Sequence, residues 1–262
     1  MTWAWRTTPE GYIEVDRAGQ RSVCMEFDLD HMPPAGTWER LTLPNAAAYQ
    51  KRLGDVLPWT SVALEPAAAV AMPLHWVLAF IYAESGGNPN AELQEPSGAV
   101  GVGLMALTAT KAGFPGKFGI TYEEAHDPSK NVAAGVELMA TFRKRKGLDL
   151  PELASAYNSG LESDGSPHTS TLSNWALREY CNMKEVVPSC CHIERVVRAA
   201  NSILESIQAG GGIGPGPGPG PGQQPPLVVP AGFVGGGKAM GFLFAAALGY
   251  GVIQWWKKRR RA

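Results

Sequence analysis

Residues 84–91 read Glu84-Ser85-Gly86-Gly87-Asn88-Pro89-Asn90-Ala91, a carboxylate followed at once by residues that form turns. The preceding run, 74–83, places apolar side chains on every helical face, which predicts a buried helix. The Glu84 carboxyl group is therefore predicted to be partly shielded from water. A carboxyl group in apolar surroundings keeps its proton to higher pH, which suits a general acid. The octet also fits a helix that stops at the glycines with a solvated Glu in its last turn, and it leaves both interpretations open.

Further short motifs follow the octet in order. They are Ser97-Gly98-Ala99, Gly103-Leu104-Met105, Asp127-Pro128-Ser129-Lys130-Asn131 and Ala156-Tyr157-Asn158-Ser159-Gly160. Together with the octet, they resemble the motifs of the soluble lytic transglycosylases, a lysozyme-like family, over residues 66–204. The resemblance implies a mainly α, lysozyme-like SLT domain, for which we predict the bounds 61–207.

The resemblance also implies a chemistry. Enzymes of this family cut the β-1,4 bond between N-acetylmuramic acid and N-acetylglucosamine in peptidoglycan and close the muramic acid as a 1,6-anhydro sugar. One carboxyl group makes both proton transfers, because the sugar's acetamido group replaces the second carboxylate of an ordinary retaining glycosidase. Glu84 is thus the expected acid and then base, with no cofactor and no metal ion. The alternative is a lysozyme-fold protein that binds peptidoglycan glycan strands with weak or no activity.

The same resemblance assigns substrate contacts to residues within the motifs. The expected substrate-binding residues are Ser85, Gly103, Leu104, Met105, Tyr157 and Asn158. Gly103 is expected to let the backbone approach the sugar closely. Structural alternatives stay open, since the Ser85 hydroxyl can bond its own helix end. Leu104 and Met105 can also pack in the core while they form a cleft wall.

Some positions depart from the family pattern. Ala106 stands where the family has a Gln after Gly-Leu-Met, which removes one amide from the expected sugar groove. Residues 92–95 and 100–102 lengthen the connections beside Ser97-Gly98-Ala99, which predicts a reshaped lobe. His192 replaces a Tyr that often faces the site in the family, so the contacts at that edge stay open.

Other carboxylates have structural explanations. Asp127 is predicted to cap the helix that follows it. Glu123 and Glu124 are predicted to be first-turn acids, where the helix dipole favours negative charge. Glu95 lies in a loop close to the expected cleft, where a carboxylate facing the sugar with room for a water would permit hydrolysis. We predict that it does not take this role.

The C-terminal part of the chain predicts a membrane anchor. Residues 208–230 form a Gly/Pro-rich linker, whose strict Gly-Pro alternation makes a stiff, extended spacer. A transmembrane helix is predicted within 231–256, since residues 239–256 carry no charge and span about 27 Å as a helix. The basic tail, 257–262, carries five positive charges, so the formal net charge of −1 leaves −6 for the remainder.

The anchor and tail predict further partners besides the lipid membrane. Gly241, Ala245 and Gly249 form a small-residue stripe that permits helix self-association or contact with other membrane or virion proteins. Such stripes also occur by chance in Gly- and Ala-rich segments. The basic tail is expected to be a topology signal, with anionic lipid headgroups or nucleic acid as the alternative partners.

The layout of the chain predicts its location. Residues 1–60 show no continuous apolar stretch, so no signal peptide is expected. A lytic domain, a Gly/Pro linker and a C-terminal span are together similar to the membrane-anchored transglycosylases of tailless phages with an internal membrane. This similarity implies a single-pass protein of the virion membrane that opens the cell wall for genome delivery. The alternative is a bacterial inner-membrane enzyme, facing the periplasm, of a secretion or conjugation machine.

The N-terminal extension, 1–60, is predicted to be small and β or irregular. Apolar alternation at 12–16 and 23–27 predicts a β-hairpin, followed by a short helix over 46–57. The cysteines are Cys24, Cys181, Cys190 and Cys191. They show no Cys-x-x-Cys spacing, which argues against zinc. A bridge from Cys181 to one of the last two and free buried thiols both stay open.

Overall fold

The computed structural model describes residues 5–16, 38–95, 97–167 and 188–209. The strands are β1 (Trp5–Thr7), β2 (Ile13–Asp16), β3 (Trp38–Arg40), β4 (Glu92–Gln94), β5 (Val100–Val102) and β6 (Leu107–Ala109). The α-helices are α1 (Ala47–Val56), α2 (Thr60–Ala69), α3 (Leu74–Glu84), α4 (Phe114–Phe118), α5 (Pro128–Lys146), α6 (Leu150–Ser159) and α7 (Pro188–Gln208). Short 3₁₀ turns lie at Leu57–Trp59, Lys111–Gly113 and Glu124–His126. The mainly α class predicted from the sequence is confirmed.

Helix α3 lies in the middle of the core. Every residue from His75 to Ala83 is buried, as predicted for a helix that is apolar on all faces. Pro73 is the N-cap residue of α3, where the missing backbone N–H costs no hydrogen bond within the helix. The main packing partner of α3 is α7. The buried residues of α7 include Ile193, Val196, Val197, Ala200 and Ile203.

Helix α3 ends at Glu84 because the following residues leave the helical conformation. Gly86 and Gly87 have φ angles of 63° and 85°, in the left-handed region that favours glycine. A Cβ at Gly87 would also collide with the carbonyl oxygen of Asp55 in α1. The Gly87 carbonyl accepts a hydrogen bond from the Trp59 indole at 2.9 Å. The turn after the predicted acid is therefore fixed by α1 and the 3₁₀ turn that follows it.

Strands β1, β2 and β3 form an antiparallel sheet with β2 in the centre. Val15 pairs with Trp5 on one edge and with Glu39 on the other. The strand predicted within 12–16 is thus present, but the predicted hairpin with 23–27 is wrong, because β1 and β3 occupy both edges of β2. Residues 23–27 lie outside the described residues. The helix expected over 46–57 is confirmed as α1.

One buried side chain of α7 forms hydrogen bonds that link α7 to this sheet. Asn201 accepts a hydrogen bond from the Ile13 N–H at 2.9 Å. Its amide donates to the carbonyls of Ile13 at 2.9 Å and Leu41 at 2.7 Å. The Ser202 hydroxyl accepts from the Leu43 N–H at 2.8 Å. Residues of β2 and α7 consequently share one hydrophobic core.

Replacing Asn201 by Ala should lower the free energy of unfolding by about 2 to 4 kcal/mol, because one buried N–H and two buried carbonyls lose their partner. Denaturant unfolding followed by circular dichroism measures the change. Ser206→Ala is the control on the same helix, since its half-buried hydroxyl makes a single bond to the Ser202 carbonyl at 2.9 Å. Equal unfolding midpoints for the two variants would contradict the prediction.

Strands β4, β5 and β6 form a second antiparallel sheet with β5 in the centre. The two segments that are longer than in the family pattern form β4 and β5. In this pair, Glu92 lies opposite Val102 and Gln94 lies opposite Val100. Strand β5 is buried, whereas β4 is exposed. The lengthened connections therefore form a paired lobe rather than loose loops.

Caps define the start of α5. The Asp127 side chain accepts from the N–H groups of Ser129 at 2.9 Å and Lys130 at 3.0 Å, which confirms its predicted capping role. In the preceding 3₁₀ turn, Glu124 accepts from the Thr121 N–H at 2.8 Å, and the Thr121 hydroxyl accepts from the Glu124 N–H at 3.1 Å. Glu124 is therefore used at a helix start, as predicted.

Helix α6 begins with a capping box between Asp149 and Glu152. The Asp149 carboxylate also accepts from the Trp5 indole at 3.2 Å and from the Thr7 hydroxyl at 2.7 Å. Strand β1 thus supports the first turn of the helix that carries Tyr157.

The predicted linker (208–230), transmembrane segment (231–256) and basic tail (257–262) lie outside the described residues, apart from 208–209. Cys24 and Cys181 lie outside them as well, so both thiol alternatives stay open. Of the helices in the described part of the chain, none combines the length and apolar character that a membrane crossing requires.

Candidate active site

The Glu84 carboxyl group lies at the C-terminal end of α3, in a largely dry place. Its side chain is 17% exposed. Burial raises the pKa of Glu84 from 4.5 to about 8, and the positive charge of Arg195 on α7 opposes this rise. Glu84 therefore keeps its proton at neutral pH. The predicted dry environment is confirmed, and the alternative of a solvated last-turn Glu is wrong.

His192 on α7 faces this carboxyl group. Its Nε2 lies 3.5 Å from Glu84 Oε1, and its side chain is 8% exposed. Burial, helped by the charge of Arg195, lowers the pKa of His192 to about 3. Near pH 7 the imidazole and the carboxyl group are thus both neutral, so their contact is not an ion pair. His192 Nε2 makes no hydrogen bond with any described residue.

Tyr157 on α6 is the third group near the acid. Burial and, to a smaller extent, the negative charge of an ionised Glu84 raise the pKa of its phenol. Its ring packs against Phe80 of α3 with 4.9 Å between ring centroids. Its hydroxyl donates to the Met105 carbonyl at 2.7 Å. The structure thus brings Tyr157 to Glu84, and its phenolic O–H joins α6 to the Gly-Leu-Met segment.

The segment Gly103-Leu104-Met105 lies in the core. Leu104 and Met105 are fully buried, so core packing is confirmed for both side chains. Gly103 has a φ angle of 77°, and a Cβ there would collide with the Asn131 amide. Packing against Asn131 therefore already requires a glycine here, and the close approach of sugar stays a prediction.

Asn131 on α5 holds this segment in place. Its Oδ1 accepts from the Met105 N–H at 2.8 Å, and its Nδ2 donates to the carbonyls of Val102 and Ala125, each at 2.8 Å. Asn131 is fully buried. The sequence interpretation missed this role, although the Asn of the Asp-Pro-x-x-Asn motif was the available signal. Capping does not explain an amide at this helix start, because the cap is Asp127.

The other predicted substrate residues lie at the edge of the site. The Ser85 hydroxyl donates to the Ile81 carbonyl and accepts from the Gly87 N–H, both at 3.2 Å, so it makes the bonds of the structural alternative. Asn158 is exposed in the last turn of α6, with its Nδ2 3.3 Å from Ser159 Oγ. Neither bond pattern tests the predicted sugar contacts.

The positive charge beside Glu84 comes from Arg195 of α7, which the sequence interpretation did not name, although it expected His192 at the edge of the site. Arg195 Nη1 donates to the Ala83 carbonyl at 3.4 Å, beside the acid. His192 and Arg195 are three positions apart, a spacing that puts both on one helical face and was the available signal. Within the described ranges, no group of three or more His, Cys, Asp and Glu side chains is placed to hold a metal ion.

Comparisons with known proteins relate the central part of this chain to a protein family. The family model described as Transglycosylase SLT domain matches residues 61–172. Among solved structures, the chain is similar to an inactive mutant of the lytic transglycosylase Slt from Pseudomonas aeruginosa, with 16% sequence identity and a TM-score of 0.39. That similarity covers 57% of this chain and 24% of the Slt chain, so the chain spans about a quarter of that protein's length. No match was found among curated proteins. Residues 61–172 of this chain thus belong to the transglycosylase SLT domain family.

Proposed function

We propose that the chain is a peptidoglycan lytic transglycosylase that cleaves the β-1,4 bond between N-acetylmuramic acid and N-acetylglucosamine and forms a 1,6-anhydro product. The observation that carries the proposal is the buried Glu84 carboxyl group, whose pKa of about 8 keeps it protonated at neutral pH. It lies in a domain of the matching family, beside Tyr157 and the Gly-Leu-Met segment.

Glu84 acts twice in the proposed reaction. At pH 7 a group with a pKa of about 8 is about 90% protonated, so Glu84 donates its proton to the glycosidic oxygen as the bond to the muramic acid breaks. The acetamido group of the sugar assists at the oxocarbenium-like carbon. The Glu84 carboxylate then takes the proton of the 6-hydroxyl, whose oxygen closes the anhydro ring. The charge of Arg195 stabilises the carboxylate between the two steps.

The pH dependence of kcat should show an alkaline limb near pH 8, because Glu84 must be protonated to donate. Below that pKa Glu84 is protonated and can donate, and above it kcat should fall about tenfold per pH unit. Turbidity of sacculi measured from pH 3 to pH 10 gives the profile, and circular dichroism at each pH checks that the chain stays folded. A limb near pH 4 to 5 instead would mean that the acting carboxylate has an ordinary pKa of about 4.3 and is not Glu84.

The product distinguishes the possible reactions. The full chain is incubated with purified sacculi, and the soluble products are separated and weighed by mass spectrometry. Anhydromuropeptides are the expected products. Reducing-end muropeptides would overturn the lyase reaction in favour of hydrolysis, and the absence of products would overturn the enzymatic function.

A second candidate is a glycan-binding protein with weak or no activity. Ala106 favours it, because the family's Gln is missing from this position and the backbone there has a φ of 44°, which is uncommon for Ala. Binding of the chain to sacculi without any soluble product would support this candidate.

The biological setting that fits best is local opening of the cell wall for phage genome delivery by a protein anchored in an internal virion membrane. Support comes from the uncharged segment 239–256 and the basic tail, which are typical of a single membrane span. Copurification of the chain with the membrane of purified particles, resistant to high salt, is the expected result. Recovery only from the bacterial inner membrane would favour the secretion or conjugation alternative.

A further inference from the structure

A buried polar atom that the two proton transfers do not use lies beside Glu84. His192 Nε2 lies 3.5 Å from Glu84 Oε1 and makes no hydrogen bond with any described residue. A buried polar atom without a partner usually destabilises a fold. Its persistence beside the acid indicates that it gains a partner during the reaction.

We propose that His192 is a positioning residue whose Nε2–H donates a hydrogen bond to Glu84 Oε1 when glycan binds, so that Glu84 Oε2 and its proton face the glycosidic oxygen. This inference rests on the proposed lytic transglycosylase function.

The geometry requires only a small movement. A separation of 3.5 Å is a few tenths of an ångström longer than a good hydrogen bond, and such contacts often shorten when an enzyme binds its substrate. The imidazole is held in the core, with its ring edge-on to Phe80 at 6.3 Å between centroids. The donor therefore stays beside the carboxyl group and does not need to be recruited from solvent.

The charge state of His192 suits this role. Because burial lowers the pKa of His192, the imidazole is a neutral donor and does not force Glu84 to ionise before it reacts. When Glu84 loses its proton, the same N–H becomes a stronger, charge-assisted donor to the new carboxylate. The bond thus strengthens as the transition state is reached, which is what accelerates a reaction.

Other groups near Glu84 have different parts. Arg195 of α7 supplies positive charge, and Tyr157 of α6 is committed to the Met105 carbonyl. Arg52 of α1 lies over the ring of Tyr82, 5.4 Å from its centroid. His192 Nε2 lies 3.5 Å from Glu84 Oε1, which suits it to a directional contact with that oxygen.

The test compares two substitutions in the full chain. His192→Phe keeps a flat ring in an apolar pocket but removes the donor, and His192→Gln keeps an N–H near the position of Nε2. His192→Phe should lower kcat on glycan strands about ten- to a hundredfold with little change in KM. It should also move the alkaline limb of the pH profile upward, because a carboxylate without its donor has a higher pKa. His192→Gln should restore most of kcat and return the alkaline limb of the pH profile to its original position.

A second measurement does not depend on activity. The pKa of Glu84 is measured by NMR with labelled Glu carboxyl carbons in the full chain saturated with N-acetylglucosamine oligomers, because the proposed hydrogen bond forms when glycan binds. It should be higher in His192→Phe than in the unmodified chain and in His192→Gln. Equal pKa values, an unchanged kcat in His192→Phe, or a folded His192→Gln as slow as His192→Phe would each overturn the role of His192. An unmodified chain that releases no products, with the expected order of pKa values, would overturn the lytic function instead.

Discussion

Substituting Glu84 with Gln should lower the rate of glycan release by at least about 10³-fold, because one group performs both proton transfers and neither has a replacement. Gln has nearly the same shape and no charge, so it fits the buried position without a new unpaired charge. The measurement is release of anhydromuropeptides from sacculi by the full chain. Glu65→Gln, an equal change of charge at an exposed position of α2, is the matched control and should keep full activity.

The same substitution should change how stability depends on pH. Glu84 has a pKa of about 8 in the folded chain and 4.5 as its reference value. A folded-state pKa above the unfolded one gives stability that is complete below pH 4.5 and is lost as pH rises to about 8. The whole loss corresponds to roughly 5 kcal/mol, a figure that the partial exposure of the side chain reduces. Glu84→Gln should lack this contribution, and parallel pH profiles for the two chains would show that Glu84 is not buried.

Asn131→Asp should lower the free energy of unfolding by about 3 to 5 kcal/mol, because a carboxylate oxygen would replace the Nδ2 donor between two carbonyls. The substituted site would hold a buried negative charge facing the oxygens of Val102 and Ala125. Urea unfolding at pH 7 measures the loss. Because Asn131 also fixes the Met105 N–H, the remaining folded protein should lose activity by displacement of the Gly-Leu-Met segment.

The control for this prediction is Asn90→Asp, the same chemical change at an exposed position of the turn after α3. Its free energy of unfolding should change by less than about 0.5 kcal/mol. If the two variants unfold at the same urea concentration, the three hydrogen bonds of Asn131 do not support the fold.

The sequence was sufficient to predict the dry environment of Glu84. The unbroken apolar run before Glu84 implies burial on every face of α3, and burial alone determines the direction of its pKa shift. The glycines after Glu84 and the cap at Asp127 are likewise local signals. Such features depend on residues that are close together in the chain, so a sequence pattern can predict them.

Features that depend on distant residues were predicted less well. The pairing of β2 with β1 and β3 could not be read from apolar alternation, which identifies a strand but not its neighbours. The collision that requires Gly103 comes from Asn131 on another element. The approach of His192 to Glu84 depends on how α7 packs against α3, which no local pattern specifies.

The packing of α7 over α3 also makes the acid dependent on the completion of protein synthesis. While α7 is still inside the ribosome, the end of α3 is hydrated, and Glu84 ionises like an ordinary glutamate near neutral pH. Only when α7 emerges and excludes water does this carboxyl group retain a proton to donate. Chains that end before α7 should therefore lack a protonated carboxyl group at position 84 near neutral pH.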